Sequence, residues 1–182
     1  MPKDQVSDLN TVNVPEDFYK VFLTAQSYVR NYFSTIDRDP EKGLVKFSDE
    51  RYILVRASSM SKEFFDMMTQ LYRDRGEKEA RTFAFNFLFD IAHSIGKADA
   101  RSFFKKMKVT DPVERLSAGP VHFAYTGWAT VQIHPLSRPT PDENFYLIYS
   151  GIRYARILHH CVICRILICL LSIILEIIEQ KV

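Results

Sequence analysis

The chain has 182 residues, 47% of them hydrophobic and 25% charged, which is the composition of one globular domain and excludes a disordered or collagen-like polypeptide. Its net charge of +2 arises entirely in residues 150–182, so the preceding body is neutral and lacks the basic stripe that direct nucleic-acid binding needs. The three cysteines, Cys161, Cys164 and Cys169, also lie in that last stretch. A body without cysteine and an N-terminus without an apolar leader lead us to expect a cytoplasmic protein.

The first fourteen residues are polar and aperiodic and are expected to fray. Val14-Pro15-Glu16-Asp17 then reads as a helix start, with proline in the first turn and two carboxylates at the positive end of the helix dipole. Phe18, Val21, Phe22, Ala25, Tyr28, Val29, Tyr32 and Phe33 fall on one helical stripe that ends near Ser34. The stripe suits core packing, or a homodimer contact made by an N-terminal helix.

Composition makes Asp37 to Gly43 a loop. Leu44–Phe47 and Arg51–Arg56 read as two strands joined by the turn formers Ser48-Asp49-Glu50. Ser59 or Ser61 can cap a helix that presents Phe64, Phe65, Met68 and Leu71 and stops at Gly76. A second helix runs from Glu77 to Ile95, with Gly96 as its kink or end. A further helical run, Ala98 to Met107, turns Phe103 and Phe104 inward and leaves Lys105, Lys106 and Lys108 as a solvated basic end. After Gly119-Pro120 the period changes to two: Val121–Tyr125 and Trp128–Ile133 flank Thr126-Gly127 as a tight hairpin, and Phe145–Tyr149 reads as one more strand.

The fold expected is α/β in the α+β sense, an antiparallel or mixed sheet flanked by helices, with an N-terminal helix and a C-terminal apolar helix. Three parts are expected: a helical segment over 1–43, a main domain over 44–149, and an apolar tail over 150–182.

Several motifs, in this order, resemble the N-terminal sensor domain of the XylR-type activators of aromatic catabolism. They are Arg51-Tyr52-Ile53-Leu54-Val55 with Ala57-Ser58-Ser59-Met60, then Ser94-Ile95-Gly96-Lys97-Ala98-Asp99, then Ala118-Gly119-Pro120-Val121-His122 with Gly127, and Phe145-Tyr146. The resemblance covers about Arg51 to Tyr149. It implies a receptor for phenols, xylenes or related small aromatics, coupled to an output domain that this chain does not contain. The cysteine-bearing half that resembles 4-vinyl reductases and follows in the family is also absent, so the resemblance is to a truncated domain.

In phenol-sensing relatives the motif resembles Gly-Pro-x-x-His, whereas here His122 comes one residue early and Phe123 fills the matching slot. Read as a strand, His122 and Phe123 face opposite sides, and an inward Phe123 would favour a ligand without a hydroxyl. The ligand-binding candidates are therefore His122, Phe123, Trp128, Phe145 and Tyr149, with core packing the plain alternative for Trp128. His93 and His134 read as a helix-boundary and a loop residue.

No nucleophile elbow, phosphate-cradling glycine loop or His-Glu-x-x-His pattern is present, so neither an enzyme nor a cofactor is expected. The tail offers His159-His160-Cys161 and Cys164, whose spacing suits zinc, but the Ile and Leu around them need burial, and no metal is expected. Ile157 to Ile178 would measure about 33 Å as a helix, enough for a hydrocarbon core of about 30 Å. Arg165 and Glu176 oppose insertion, but the Ile and Leu residues leave the sum mildly favourable; the competing and preferred reading of the tail is a shifted reading frame or fusion scar whose helix folds back on the exposed half-core. A membrane-anchored, partner-binding protein is thus the alternative to a soluble sensor.

Overall fold

A computed structural model describes residues 8–137 and the backbone of 149–153. The architecture is mixed: four α-helices and two three-stranded sheets lie among the described residues. The chain divides into two compact units, the first reaching to Ile53 and taking in Phe103–Arg153, the second built on Leu54–Ser102.

In the first unit Glu16–Phe18 forms a single 3-10 turn after Pro15, and α1 (Tyr19–Phe33) follows. Phe22, Ala25, Val29 and Tyr32 are buried at helical spacing, as the apolar stripe predicts. The stripe packs along α4 (Pro112–Thr126) in the same unit, so it serves the core. The segment before it does not fray over residues 8–14. The buried Gln26 amide donates to the Asp8 carbonyl (3.1 Å), and its Oε1 accepts from Asn10 N and Thr11 Oγ1 (3.3 and 2.8 Å). That tether lets β1 (Val12–Asn13) pair in parallel with β5 (Thr130–Ile133), which pairs antiparallel with β6 (Tyr149–Arg153).

The second sheet is an antiparallel meander of β2 (Ile36–Asp39), β3 (Leu44–Phe47) and β4 (Glu50–Tyr52). The expected loop over Asp37 to Gly43 is thus partly strand. β2 is almost wholly exposed and has no apolar alternation to betray it; backbone pairing from Ile36↔Phe47 to Asp39↔Leu44 defines it. The connection is a 3-10 turn, Pro40–Lys42, capped by the Asp39 side chain and closed by Gly43 at φ 62°. Gly43 also shortens the second predicted strand. β3 has only Leu44 beyond the Val45↔Tyr52 pair, so β4 ends there and Ile53, Leu54 and Val55 are exposed.

In the second unit, residues Ser59–Glu63 lead as one wide turn into α2 (Phe64–Leu71), and Gly76, at φ 90°, separates it from α3 (Glu77–Met107). Ring contacts join the two helices: Tyr72 with Phe83 at 4.0 Å and Phe64 with Phe87 at 6.0 Å. The expected interruption at Gly96 does not occur, and α3 is continuous. A glycine in a helix interior costs only about 1 kcal/mol, too little to break a helix of 31 residues.

The last turn of α3 returns to the first unit, where Phe103 and Phe104 are buried as predicted. Lys106, however, is not a solvated cation: its Nζ lies 2.6 Å from Asp49 Oδ1 and 3.4 Å from Glu50 Oε2, at the tip of the β3–β4 hairpin. Lys108, at φ 55°, ends the helix, and Arg115 ties the following loop by donating to the Val109 carbonyl (2.9 Å) over the Phe104 ring.

The largest departure from the sequence reading is α4. Val121–Tyr125 and Thr126-Gly127 are not half of a hairpin. They are the last turns and stop of a helix that begins at Asp111, whose carboxylate accepts the Glu114 N–H (3.0 Å), with Pro112 in the first turn. At the other end Gly127 takes φ 78°, its N–H bonds the Ala124 carbonyl and the Trp128 N–H bonds the Phe123 carbonyl (3.0 Å), the paired bonds of a Schellman stop. Pro120 sits inside the helix, where it removes the bond to the Leu116 carbonyl. Residues 116–121 are buried without a polar face, so no helical period shows in the sequence. Only Thr130–Ile133 of the predicted hairpin is strand, with Val131 and Ile133 buried and Thr130 and Gln132 exposed.

The predicted strand Phe145–Tyr149 lies outside the described residues except for Tyr149, which opens β6. The expected apolar tail helix, its zinc pattern and its membrane reading also lie outside them. Among the described residues no helix is long and apolar enough to cross a membrane.

Candidate functional site

The first unit gathers its chemistry at one place. Tyr32 and Phe33 at the end of α1, Phe47 and Tyr52 of the β3–β4 hairpin, Phe103 of α3, and His122 and Tyr125 of α4 form one connected cluster of rings. Each element contributes for a local reason. The helix end at Ser34 puts the last two α1 rings side by side, the hairpin register sets Tyr52 beside Val45 and its ring against Phe47, and His122 and Tyr125 share a face of α4 at a spacing of three.

The floor of the cluster is buried: Tyr32, Phe47 and Phe103 are each at most 9% exposed. Tyr32 stacks on Phe47 (5.9 Å, 14°) and meets Phe103 edge-on (5.2 Å, 85°), the offset and T-shaped arrangements that ring quadrupoles favour. Phe33, His122 and Tyr125 are half-buried and lie against one another, Phe33 at 5.2 Å from His122 and 5.3 Å from Tyr125. Tyr52 is half-buried too, and its hydroxyl pairs with that of Tyr32 at 2.8 Å.

His122 is the ionisable group at the centre. It contacts Tyr32, Phe33 and Phe103, and among the described residues no side-chain hydrogen bond reaches its ring nitrogens. Burial among hydrocarbon pushes its pKa down to about 4, so it is a neutral imidazole at neutral pH. A neutral imidazole keeps one donor and one acceptor nitrogen within an aromatic wall.

Of His122, Phe123 and Trp128, the proposed residues whose side chains are described, the structure brings His122 alone into this cluster. Phe123 is buried, but one helical step around α4, and neither it nor Trp128 makes a ring contact with the cluster. The opposite-faces argument for His122 and Phe123 assumed a strand and fails on a helix, where successive residues differ by about 100°. Trp128 follows the helix stop and closes it with its backbone N–H. Phe145 lies outside the described residues; Tyr149 is described only as the first residue of β6, paired with Ile133. His93 stacks on Phe89 within α3, and His134 accepts the Leu136 N–H in a turn (3.1 Å). Among the described residues no group of His, Cys, Asp or Glu could hold a metal ion.

Tyr32, Phe33, Phe47, Tyr52, Phe103 and Tyr125 went unnamed as site residues. All six stood in the sequence within helices or strands, and nothing local to any one of them shows that the others converge on it.

The described residues thus form a mixed helix-and-sheet fold whose first unit holds a cluster of rings around one neutral imidazole. The family model for the activator of aromatic catabolism, the XylR N-terminal domain, matches residues 31–138, more than half of the chain, and the chain belongs to that family. The family is a regulatory sensor domain of an activator and is not an enzyme family. The match begins just before Tyr32 and includes every member of the ring cluster. No curated protein matches the chain.

Proposed function

We propose that this chain is a sensor of small aromatic molecules and that the ring cluster around His122 receives the ligand ring. One observation carries the reading: a neutral, half-buried histidine set among half-buried Phe33 and Tyr125 over a buried aromatic floor. Aromatic faces and edges suit another aromatic ring, and each well-placed ring pair adds about 0.5–1.5 kcal/mol beyond burial. Family membership supports the same ligand class.

Signalling follows if the ligand binds one arrangement of the cluster more tightly than another, because only differential affinity shifts a conformational equilibrium. The cluster draws on α1, the β3–β4 hairpin, α3 and α4, so a ring seated there would bear on four elements at once. An output domain or partner beyond this chain would read that change, in a cytoplasmic setting.

Calorimetric titration of the full chain with toluene, phenol and cyclohexane tests the reading. Aromatic ligands should bind, cyclohexane should bind more weakly, and Phe33→Ala and Tyr125→Ala should each weaken aromatic binding about tenfold. Binding that both substitutions leave unchanged would move the site elsewhere.

A further inference from the structure

The sheet that supplies Phe47 and Tyr52 to the ring cluster has little burial of its own. Among β2, β3 and β4 the one buried residue is Phe47, and β2 is exposed over residues 36–38. An element with so few buried apolar contacts belongs to the low-stability end of a fold and opens more readily than the helices packed beside it. Its Phe47 ring nevertheless stacks on Tyr32 (5.9 Å) and lies edge-on to Phe33 (5.1 Å), so the hairpin covers part of the aromatic floor.

Polar contacts fasten this cover at its tip, and they come from the ends of two helices that supply rings beneath it. Ser48, in the left-handed region at φ 58°, donates its N–H to Thr35 Oγ1 (3.2 Å), two residues past the end of α1 and three after Tyr32. From the last turn of α3, three residues after Phe103, Lys106 reaches both tip carboxylates, Asp49 at 2.6 Å and Glu50 at 3.4 Å. The Lys106 side chain is 20% exposed and that of Asp49 81%. The lysine is therefore a fixed post, while the carboxylate beside it stands in water and can part from it readily. Such a pair is weak, screened by salt and reversible.

We propose that the β3–β4 hairpin is a lid on the ring cluster and that Lys106, paired with Asp49 and Glu50, is the catch that holds it shut, a proposal that rests on the cluster being the ligand site. Lifting the hairpin tip takes Phe47 off the Tyr32 face and leaves the packing of α1 on α4 in place. A flat ring can then reach Tyr32, Phe33 and Phe103 without the unit unfolding. The catch lies outside the cluster, at the tip, and acts alike on the empty and the occupied site. It therefore governs how fast a ligand enters and leaves rather than how tightly it is held, because a contact equal in two states shifts no equilibrium between them.

Amide hydrogen exchange of the full chain, together with NMR line shapes of added toluene, tests the lid. Lys106→Met keeps an unbranched apolar stem and removes the charge. Amides of residues 44–47 and 50–52 should exchange about two- to fivefold faster than in the wild type, the factor that one ion pair near the surface supplies, while those of α1 and α4 keep their rates. Salt at about 1 M should speed the same amides in the wild type and change little in the variant. The association and dissociation rates of toluene should rise together by a similar factor, leaving Kd nearly unchanged. If thermal melts show that Lys106→Met does not fold, Asp49→Asn combined with Glu50→Gln removes the same pairs from the exposed side. Equal hairpin exchange in wild type and variant overturns the catch, and faster exchange with unaltered toluene rates overturns the lid; either result leaves the cluster standing as a ring-binding site. Failure of the wild type to bind toluene overturns that reading and the lid together.

Discussion

Replacing His122 with phenylalanine should uncouple the stability of the domain from acid. In the folded protein burial among Tyr32, Phe33 and Phe103 lowers the His122 pKa to about 4, while the unfolded chain titrates near 6.5. The unfolded state therefore takes up a proton first as pH falls. The stability tied to the neutral ring is fully present above about pH 6.5 and is lost progressively down to about pH 4. Over that interval the depressed pKa corresponds to a loss on the order of 3 kcal/mol, most of which is already gone at pH 4.5. Phenylalanine keeps a ring of similar size in the aromatic wall and cannot be protonated. Urea unfolding of the wild type and His122→Phe, followed by circular dichroism at pH 7.5 and pH 4.5, reads the difference. The gap between the two proteins should widen in favour of the variant by an amount on the order of 2 kcal/mol at the lower pH. A gap that is the same at both pH values would mean that His122 titrates normally, and the enclosed, neutral imidazole would have to be given up.

Further substitutions test the supporting structure. Lys106→Met should destabilise the first unit by about 0.5–1 kcal/mol in urea unfolding and reduce its salt sensitivity, with Asp49→Asn adding little in the double variant, because both remove one ion pair. Gly127→Ala should cost about 1–2 kcal/mol, since φ 78° disfavours any side chain, and Gly127→Asn should cost less; equal stability of all three proteins would argue against the helix stop there.

The sequence was readable where burial was one-sided. α1 presents one apolar face over Phe22, Ala25 and Val29, and β5 alternates between buried Val131 and Ile133 and exposed Thr130 and Gln132, so both elements were evident from their periods. It was unreadable where burial was total or nil. α4 buries 116–121 without a break and carries Gly119-Pro120 in its interior, which together imitate a turn and a strand. β2 buries almost nothing, so only its partner β3 defines it. The ring cluster shows the same division. His122 stands out from its neighbours in sequence as a ligand-binding candidate, whereas Tyr32, Tyr52 and Phe103 come from three distant segments and meet only through the fold. Helix geometry, which turns His122 and Phe123 about 100° apart, also decides which of the two belongs to the cluster.

The most direct measurement of the central claim is the set of nuclear Overhauser contacts between protons of bound phenol and ring protons of the full chain. The account predicts contacts from phenol to Phe33, His122 and Tyr125, with none to exposed rings such as Tyr19. Saturating phenol that shows contacts only to residues outside this cluster would contradict it.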